Sequence, residues 1–182
     1  MKIKILFAGG GTAGHVEPAL AVATWLQANR PEWQITFVGT RNGLENQLVP
    51  RAGFDLLHIP KVLMPRQLTP GIILWPFKML IATIESIKIC RKSELVIGFG
   101  GYACPPIYIA AALLRKPIFI HEANAIPGWA NRLGAPFATQ IFMDSMVAIN
   151  ILTGHRMIPG VTCLGIKTFG MCNRSKPALG TS

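Results

Sequence analysis

Acidic residues are scarce in this chain. Its 182 residues carry eight Asp and Glu against eighteen Lys and Arg, for a formal net charge of +10. Only Asp55 and Asp144 are aspartates, and they lie far apart. No Asp-x-Asp pair can therefore hold a metal–diphosphate complex, so neither a catalytic metal nor another cofactor is expected. The four cysteines, Cys90, Cys104, Cys163 and Cys172, form no C-x-x-C pair and have no histidine at zinc-finger spacing. They read as reduced thiols of a cytosolic protein. A Gly-x-Ser-x-Gly elbow and a Walker Gly-Lys-Ser/Thr sequence are both missing, and no internal repeat is visible. The strongly apolar stretch 71–84 is broken by Pro76 and Lys78 and falls short of the ~20 residues a membrane span needs. The opening Met1-Lys2-Ile3-Lys4 imitates a secretory leader, but its apolar run meets glycine after four residues.

What is present is apolar bulk, 51% of residues, with only 14% charged. That balance excludes disorder and fibrous repeats and suits one domain with a sizeable core. The positive charge asks for a partner. Nucleic acid is disfavoured, because the basic residues are scattered and no aromatic-interleaved patch or helix-turn-helix pattern appears. An anionic membrane surface fits better. Lys61, Arg66, Lys78, Lys88, Arg91 and Lys92 gather around the most apolar segment, with Glu85 the sole acid there. Each such residue contributes about 1 kcal/mol near an anionic leaflet. A merely solvated basic face is the alternative.

Short β-type runs alternate with helical patterns, which predicts a doubly wound, Rossmann-like α/β domain with a parallel sheet. Strands are expected at 3–8, 34–39, 54–59, 95–98, 117–121 and 139–143, and helices at 17–29, 43–51, 77–92, 105–115 and 127–134. In the long helix Phe77, Leu80, Ile81, Ile84 and Ile87 recur at helical spacing, while Lys78, Glu85, Lys88 and Lys92 share another face.

Three motifs fall at strand ends. Gly9-Gly10-Gly11-Thr12-Ala13-Gly14-His15 follows the first strand and opens into a helix with Pro18 expected in its first turn. Glycines permit close backbone approach, and the N–H groups and dipole at a helix start suit phosphate. The histidine goes beyond what phosphate binding needs. Gly98-Phe99-Gly100-Gly101-Tyr102 follows the fourth strand and precedes a helix started by Pro105-Pro106. His121-Glu122-Ala123-Asn124 ends the fifth. All three would converge where open α/β sheets bind ligands. Each also has a plainer reading, as a tight turn or, for His121, a hydrogen-bonded core residue. His58 and His155 read as structural or surface residues. Gly9, Gly11 and Gly14 also satisfy the dinucleotide fingerprint, but the second strand ends in Gly39-Thr40-Arg41 without the ribose-binding acid. Arg41 facing a 2′-phosphate keeps an NADP oxidoreductase as the last alternative.

In order and spacing, the three motifs together resemble the MurG family of N-acetylglucosaminyltransferases of peptidoglycan synthesis. Val38-Gly39-Thr40, Leu44-Glu45 and Leu48-Val49-Pro50 are similar to that family too, and the likeness covers about residues 3–165. The resemblance implies the N-terminal, acceptor-side half of a GT-B glycosyltransferase. Such an enzyme moves GlcNAc from UDP-GlcNAc to undecaprenyl-diphosphate-linked MurNAc-pentapeptide, as a peripheral protein on the cytoplasmic face of the bacterial membrane. It further implies that His15 is the catalytic base and that Thr12, Ala13, Gly14 and Asn124 contact the sugar nucleotide. Gly11, Gly100, Gly101, Tyr102, His121 and Glu122 would line the acceptor and diphosphate side, and Lys78, Lys88, Arg91 and Lys92 would meet the membrane.

Two departures stand out. Ala13 replaces the commoner glycine, and Gly165-Ile166-Lys167-Thr168-Phe169 stands where the family reads Gly-x-Pro-x-Arg. The expectation is an acceptor-side domain over 1–165, an unstructured divergent tail over 166–182 and no donor-binding domain. Such a chain would be a truncated or frameshifted product, inactive alone. Half of a split transferase needing a separate donor-domain chain, or a non-catalytic membrane-surface module docking through 61–92, are the other readings.

Overall fold

The computed structural model describes residues 2–64, 73–143 and 161–163. Seven strands form one sheet: β1 (Lys4–Ala8), β2 (Gln34–Gly39), β3 (Asp55–His58), β4 (Leu95–Gly98), β5 (Ile118–Glu122), β6 (Gln140–Met143) and β7 (Val161–Cys163). Between them run α1 (Ala13–Asn29), α2 (Glu45–Arg51), α3 (Trp75–Cys90), α4 (Cys104–Leu113) and α5 (Trp129–Gly134), the last continued by a 3₁₀ turn. The strand order is β3-β2-β1-β4-β5-β6-β7, and every pairing is parallel. The chain winds outward from β1 to β3, returns to lay β4 on the other side of β1, and winds outward again. The β1/β4 boundary is thus the switch point of the sheet. There Ala8 lies opposite Gly98, so the turns after both strands leave side by side.

Both faces of β1 are covered. Ile5 and Phe7 pack with Val16, Ala19 and Ala23 of α1, Val49 of α2 and Phe99. Leu6 and Ala8 pack on the opposite face with Ile107, Tyr108, Ala110 and Ala111 of α4. Phe7 sits between the rings of Phe37 and Phe99, at centroid distances of 5.1 and 5.6 Å.

The six expected strands and five expected helices are all present, those at 34–39 and 95–98 with the expected bounds and the others with at least one end shifted. A seventh strand, Val161–Cys163, extends the sheet beyond them. The expectations for Arg66, Asp144, His155 and the tail 166–182 fall outside the described residues. Helix α1 begins at Ala13 rather than Glu17, with an extended Thr12 (φ −130°, ψ 158°) as its N-cap. Threonine is common at that position, but here its side chain makes no capping hydrogen bond. Pro18 therefore lies inside the helix instead of in its first turn, and its missing N–H deprives the Gly14 carbonyl of a helical partner.

Helix α3 shows an inverted pattern. Its buried residues are Met79, Ala82, Thr83, Ser86 and Cys90, which are mostly small. Ser86 satisfies its hydroxyl on the Ala82 carbonyl at 2.7 Å. Phe77, Leu80, Ile81 and Ile84 of the apolar stripe are instead exposed, at 62, 57, 54 and 48%. Small residues let α3 lie close to α4, and the large ones face outward. No helix among the described residues is long and apolar enough to cross a membrane.

Where β4 ends, a Cβ on Gly98 would overlap the buried Tyr108 ring and hydroxyl. Gly98→Ala is expected to destabilise the fold by about 1–3 kcal/mol through overpacking, measured by urea unfolding.

Candidate active site

The first turn runs from the end of β1 into α1, and the second from the end of β4 into α4. Gly11, Gly100 and Gly101 have φ of +90°, +98° and +93°, a backbone region that side chains other than glycine's rarely adopt. Gly101 lies so close to the Gly10 carbonyl that a Cβ would overlap it. Phe99 N–H ties the second turn to Ala8 O at 2.8 Å. Against this joined backbone lies the His15 imidazole. A Cβ on Gly100 would stand 2.9 Å from its Cε1 and 3.0 Å from its Nδ1. The Tyr102 ring edges Gly11, and Lys61 Nζ sits 4.7 Å from the centre of that ring, within cation–π range.

A buried carboxylate underlies the first turn. Glu45, 1% exposed, accepts Gly11 N–H at 2.8 Å on Oε2, and Thr40 N–H at 2.8 Å and Thr40 Oγ1 at 3.1 Å on Oε1. The sequence reading lets glycine-turn N–H groups face phosphate. The structure corrects this for Gly11, whose N–H is already bonded within the protein. Asn46 braces the neighbouring loop by donating to Thr40 O and Gly43 O, at 2.8 and 3.0 Å, and its Oδ1 meets His58 Nε2 at 2.7 Å.

A second buried carboxylate shapes the other flank. Glu122 accepts Asn124 N–H at 2.9 Å and Asn124 Nδ2 at 2.8 Å on Oε1. Its Oε2 accepts Gly128 N–H at 3.2 Å and Asn131 Nδ2 at 3.0 Å. Asn131 Nδ2 also reaches the His121 carbonyl at 3.2 Å, and Asn131 Oδ1 accepts the Tyr108 hydroxyl at 2.9 Å. The Cys104 thiol has Ala8 O and Gly100 O each at 3.2 Å, so the network runs beneath the switch point to the end of β5. Complete burial pushes the Cys104 thiol up to about 11, only partly opposed by its hydrogen bonds to Tyr108 and the backbone. Burial, and then the neighbouring Cys104, hold the Tyr108 phenol well above its usual range.

Gly11, Thr12, Ala13, Gly14, His15, Gly100, Gly101 and Tyr102 thus meet at the switch point. His121 joins them through Phe99, with ring centres 5.4 Å apart. Asn124 is exposed at the end of β5, while Glu122 is buried and its carboxylate is committed to the loop that follows it. Lys78, Lys88, Arg91 and Lys92 lie on α3 or just past its end and are exposed. Arg41 is likewise exposed. The sequence reading assigned no site role to Glu45 or Asn131, and grouped Lys61 with the basic residues expected at a membrane surface rather than with Tyr102. A usable signal existed for Glu45: in an acid-poor chain it follows Gly39 and Gly43 closely, as a buried anion needing close backbone would.

The Cys104 thiol contributes one part of the alkaline pH dependence of stability, in the same direction as the buried Cys90 and Tyr108. Below pH 9.0 the Cys104 thiol is neutral in both the folded and unfolded chain. Above it the unfolded chain ionises first, so stability falls as pH rises toward about 11. Cys104→Ala is expected to remove about 1–3 kcal/mol of that loss between pH 9 and 11. Urea unfolding across this range checks it, and equal slopes for both proteins would refute it.

Residues 5–143 match the model of the glycosyltransferase family 28 N-terminal domain. A UDP-N-acetylglucosamine–N-acetylmuramyl-(pentapeptide) pyrophosphoryl-undecaprenol N-acetylglucosamine transferase of Corynebacterium jeikeium is 50% identical over 135 residues, 73% of this chain and 36% of that protein. The enzyme of the same name from Streptomyces avermitilis is 49% identical over 143 residues, 78% of this chain and 39% of its own length. The chain therefore spans about two-fifths of the curated relatives it matches. Among solved structures, Acinetobacter baumannii MurG superposes with a TM-score of 0.73 at 30% identity, covering 88% of this chain and 45% of that one. A UDP-N-acetylglucosamine 2-epimerase, 15% identical with a TM-score of 0.65, shares the fold alone. By the match over most of its length, and by the glycine turns meeting at the switch point of its sheet, the chain belongs to the glycosyltransferase family 28 N-terminal domains.

Proposed function

We propose that this chain is the acceptor-side half of an inverting N-acetylglucosaminyltransferase. GlcNAc would pass from UDP-GlcNAc to the 4-hydroxyl of MurNAc-pentapeptide on undecaprenyl diphosphate, at the cytoplasmic face of the bacterial membrane. The observation that carries this reading is the His15 imidazole, packed on Gly100 where two glycine turns meet in a family 28 domain. Residues 1–165 make up the acceptor-side unit, with 166–182 outside it. A donor-binding domain, in the same polypeptide or a separate one, supplies the uridine contacts.

In this reading His15 takes the proton of the acceptor hydroxyl as its oxygen attacks the anomeric carbon. The bond to UDP breaks with its electron pair leaving on the diphosphate. An imidazole ring nitrogen can accept a proton and later release it, which suits that exchange. Thr12, Ala13, Gly14 and Asn124 contact the sugar nucleotide, the first three at the positive end of the α1 dipole. Gly100, Gly101, Tyr102 and His121 line the acceptor side. Gly11 contributes space there, and Glu122 acts through the loop it holds. The exposed stripe of α3, with Lys78, Lys88, Arg91 and Lys92 beside it, sits against the anionic bilayer that carries the acceptor.

Mixing the chain with a separately expressed donor half of the Streptomyces avermitilis relative is expected to give GlcNAc transfer that the chain alone does not catalyse. His15→Ala should lower that rate by about 10²–10⁴-fold. A full rate would remove the base assignment, and vesicle binding without any transfer would favour a non-catalytic membrane module. Replacing Lys78, Lys88, Arg91 and Lys92 by Gln should weaken binding to anionic vesicles by about 1 kcal/mol per residue. Undiminished sedimentation with such vesicles would count against the membrane role.

A further inference from the structure

The first glycine turn already contains an anion. We propose that Glu45 is a built-in occupant of the donor nest formed by the turn and the β2–α2 loop. By filling the nest it sets the shape of the turn and keeps external phosphate away from Gly11. Occupancy of the nest does not depend on glycosyl transfer and can be measured with no substrate present.

Three donors converge on this one carboxylate: Gly11 N–H, Thr40 N–H and the Thr40 hydroxyl, at 2.8, 2.8 and 3.1 Å. Thr40 is as secluded as Glu45, at 2% against 1% exposure. Gly10, Gly39 and Gly43 wall the carboxylate so closely that a Cβ on any of them would overlap it. Three glycines from two separate loops thus enclose one side chain. Among the described residues no lysine or arginine pairs with it, so its charge is balanced by hydrogen-bond donors alone. A phosphate-binding turn of this type normally offers such N–H groups to its ligand. Here the Gly11 donor is spent internally, and the amides left for a ligand begin further along, at the start of α1. Glu45 is therefore a positioning residue, joining β2 to the turn that carries His15.

The test uses the 182-residue chain and backbone amide NMR. Glu45→Ala empties a nest of carboxylate size. It should lower the melting midpoint by about 5–10 °C. Sodium formate, against sodium chloride at equal ionic strength, should then shift the Gly11 and Thr40 amides saturably. It should also raise the midpoint and return the His15 Cε1–H resonance toward its wild-type position. Wild type should show none of these responses, and pyrophosphate should leave its Gly11 amide unmoved. Glu45→Gln fills the nest without charge but replaces one acceptor oxygen by an NH2 that faces a donor, so the Gly11 and Thr40 amide protons should move upfield, with no formate response. Folded Glu45→Ala without a saturable formate effect would overturn the proposal, as would a wild-type Gly11 amide that titrates with pyrophosphate. If Glu45→Ala does not fold, unchanged Gly11 and Thr40 amide shifts in Glu45→Gln would overturn it.

Discussion

The contact between the Gly10 carbonyl and Gly101 ties the candidate site together, because it lets two backbone turns share one space. Parallel pairing of β1 with β4 places Ala8 opposite Gly98, and from there both chains must leave the sheet in the same direction. Side chains on either turn would force them apart. With glycine at both, the start of α1 approaches the start of α4, and His15 and Tyr102 face the same few residues. A histidine on one connection and a tyrosine on another, 87 positions apart in sequence, thereby belong to one site.

Loops of this kind bury too little apolar surface to be held by packing, and here buried carboxylates take over. Glu45 gathers donors from the first turn and the end of β2, and Glu122 gathers them from the loop after β5 and from α5. Two of only eight acids in the chain are almost fully buried in this way. A buried carboxylate costs free energy unless its oxygens are satisfied, and charge-assisted bonds to N–H groups are the strong kind. Once met, that demand makes each loop geometry the one in which all donors reach the same two oxygens. The hydroxyl and thiol of Tyr108 and Cys104 link the Glu122 network to the underside of the switch point.

Helix α3 answers to a different requirement. Its contact with α4 is built from Ala82, Thr83, Ser86 and Cys90, so folding uses its small residues. The exposed Phe77, Leu80, Ile81 and Ile84 contribute little to the core and leave an apolar face on the same helix as Lys78 and Lys88.

The fold class was legible in the sequence because buried parallel strands read as short apolar runs and glycine punctuates their carboxyl ends. The motifs holding His15, Gly100 and His121 were legible for the same reason, since local pattern places each at a strand end. The true start of α1 was not, because glycine-rich sequence carries no helical periodicity and Pro18 suggested a later first turn. Periodicity also found the stripe on α3 without telling which face is buried, since that depends on what α4 offers across the contact. The role of Asn131 and the contact of Lys61 with Tyr102 were not legible because their partners come from other elements. Sequence alone thus determined the order of six of the seven strands and of the five helices, and the motifs that follow the strand ends. Tertiary structure decided which of those ends touch and which polar groups are already spent on one another, because hydrogen bonds and close backbone contacts form between segments that only the folded sheet makes neighbours.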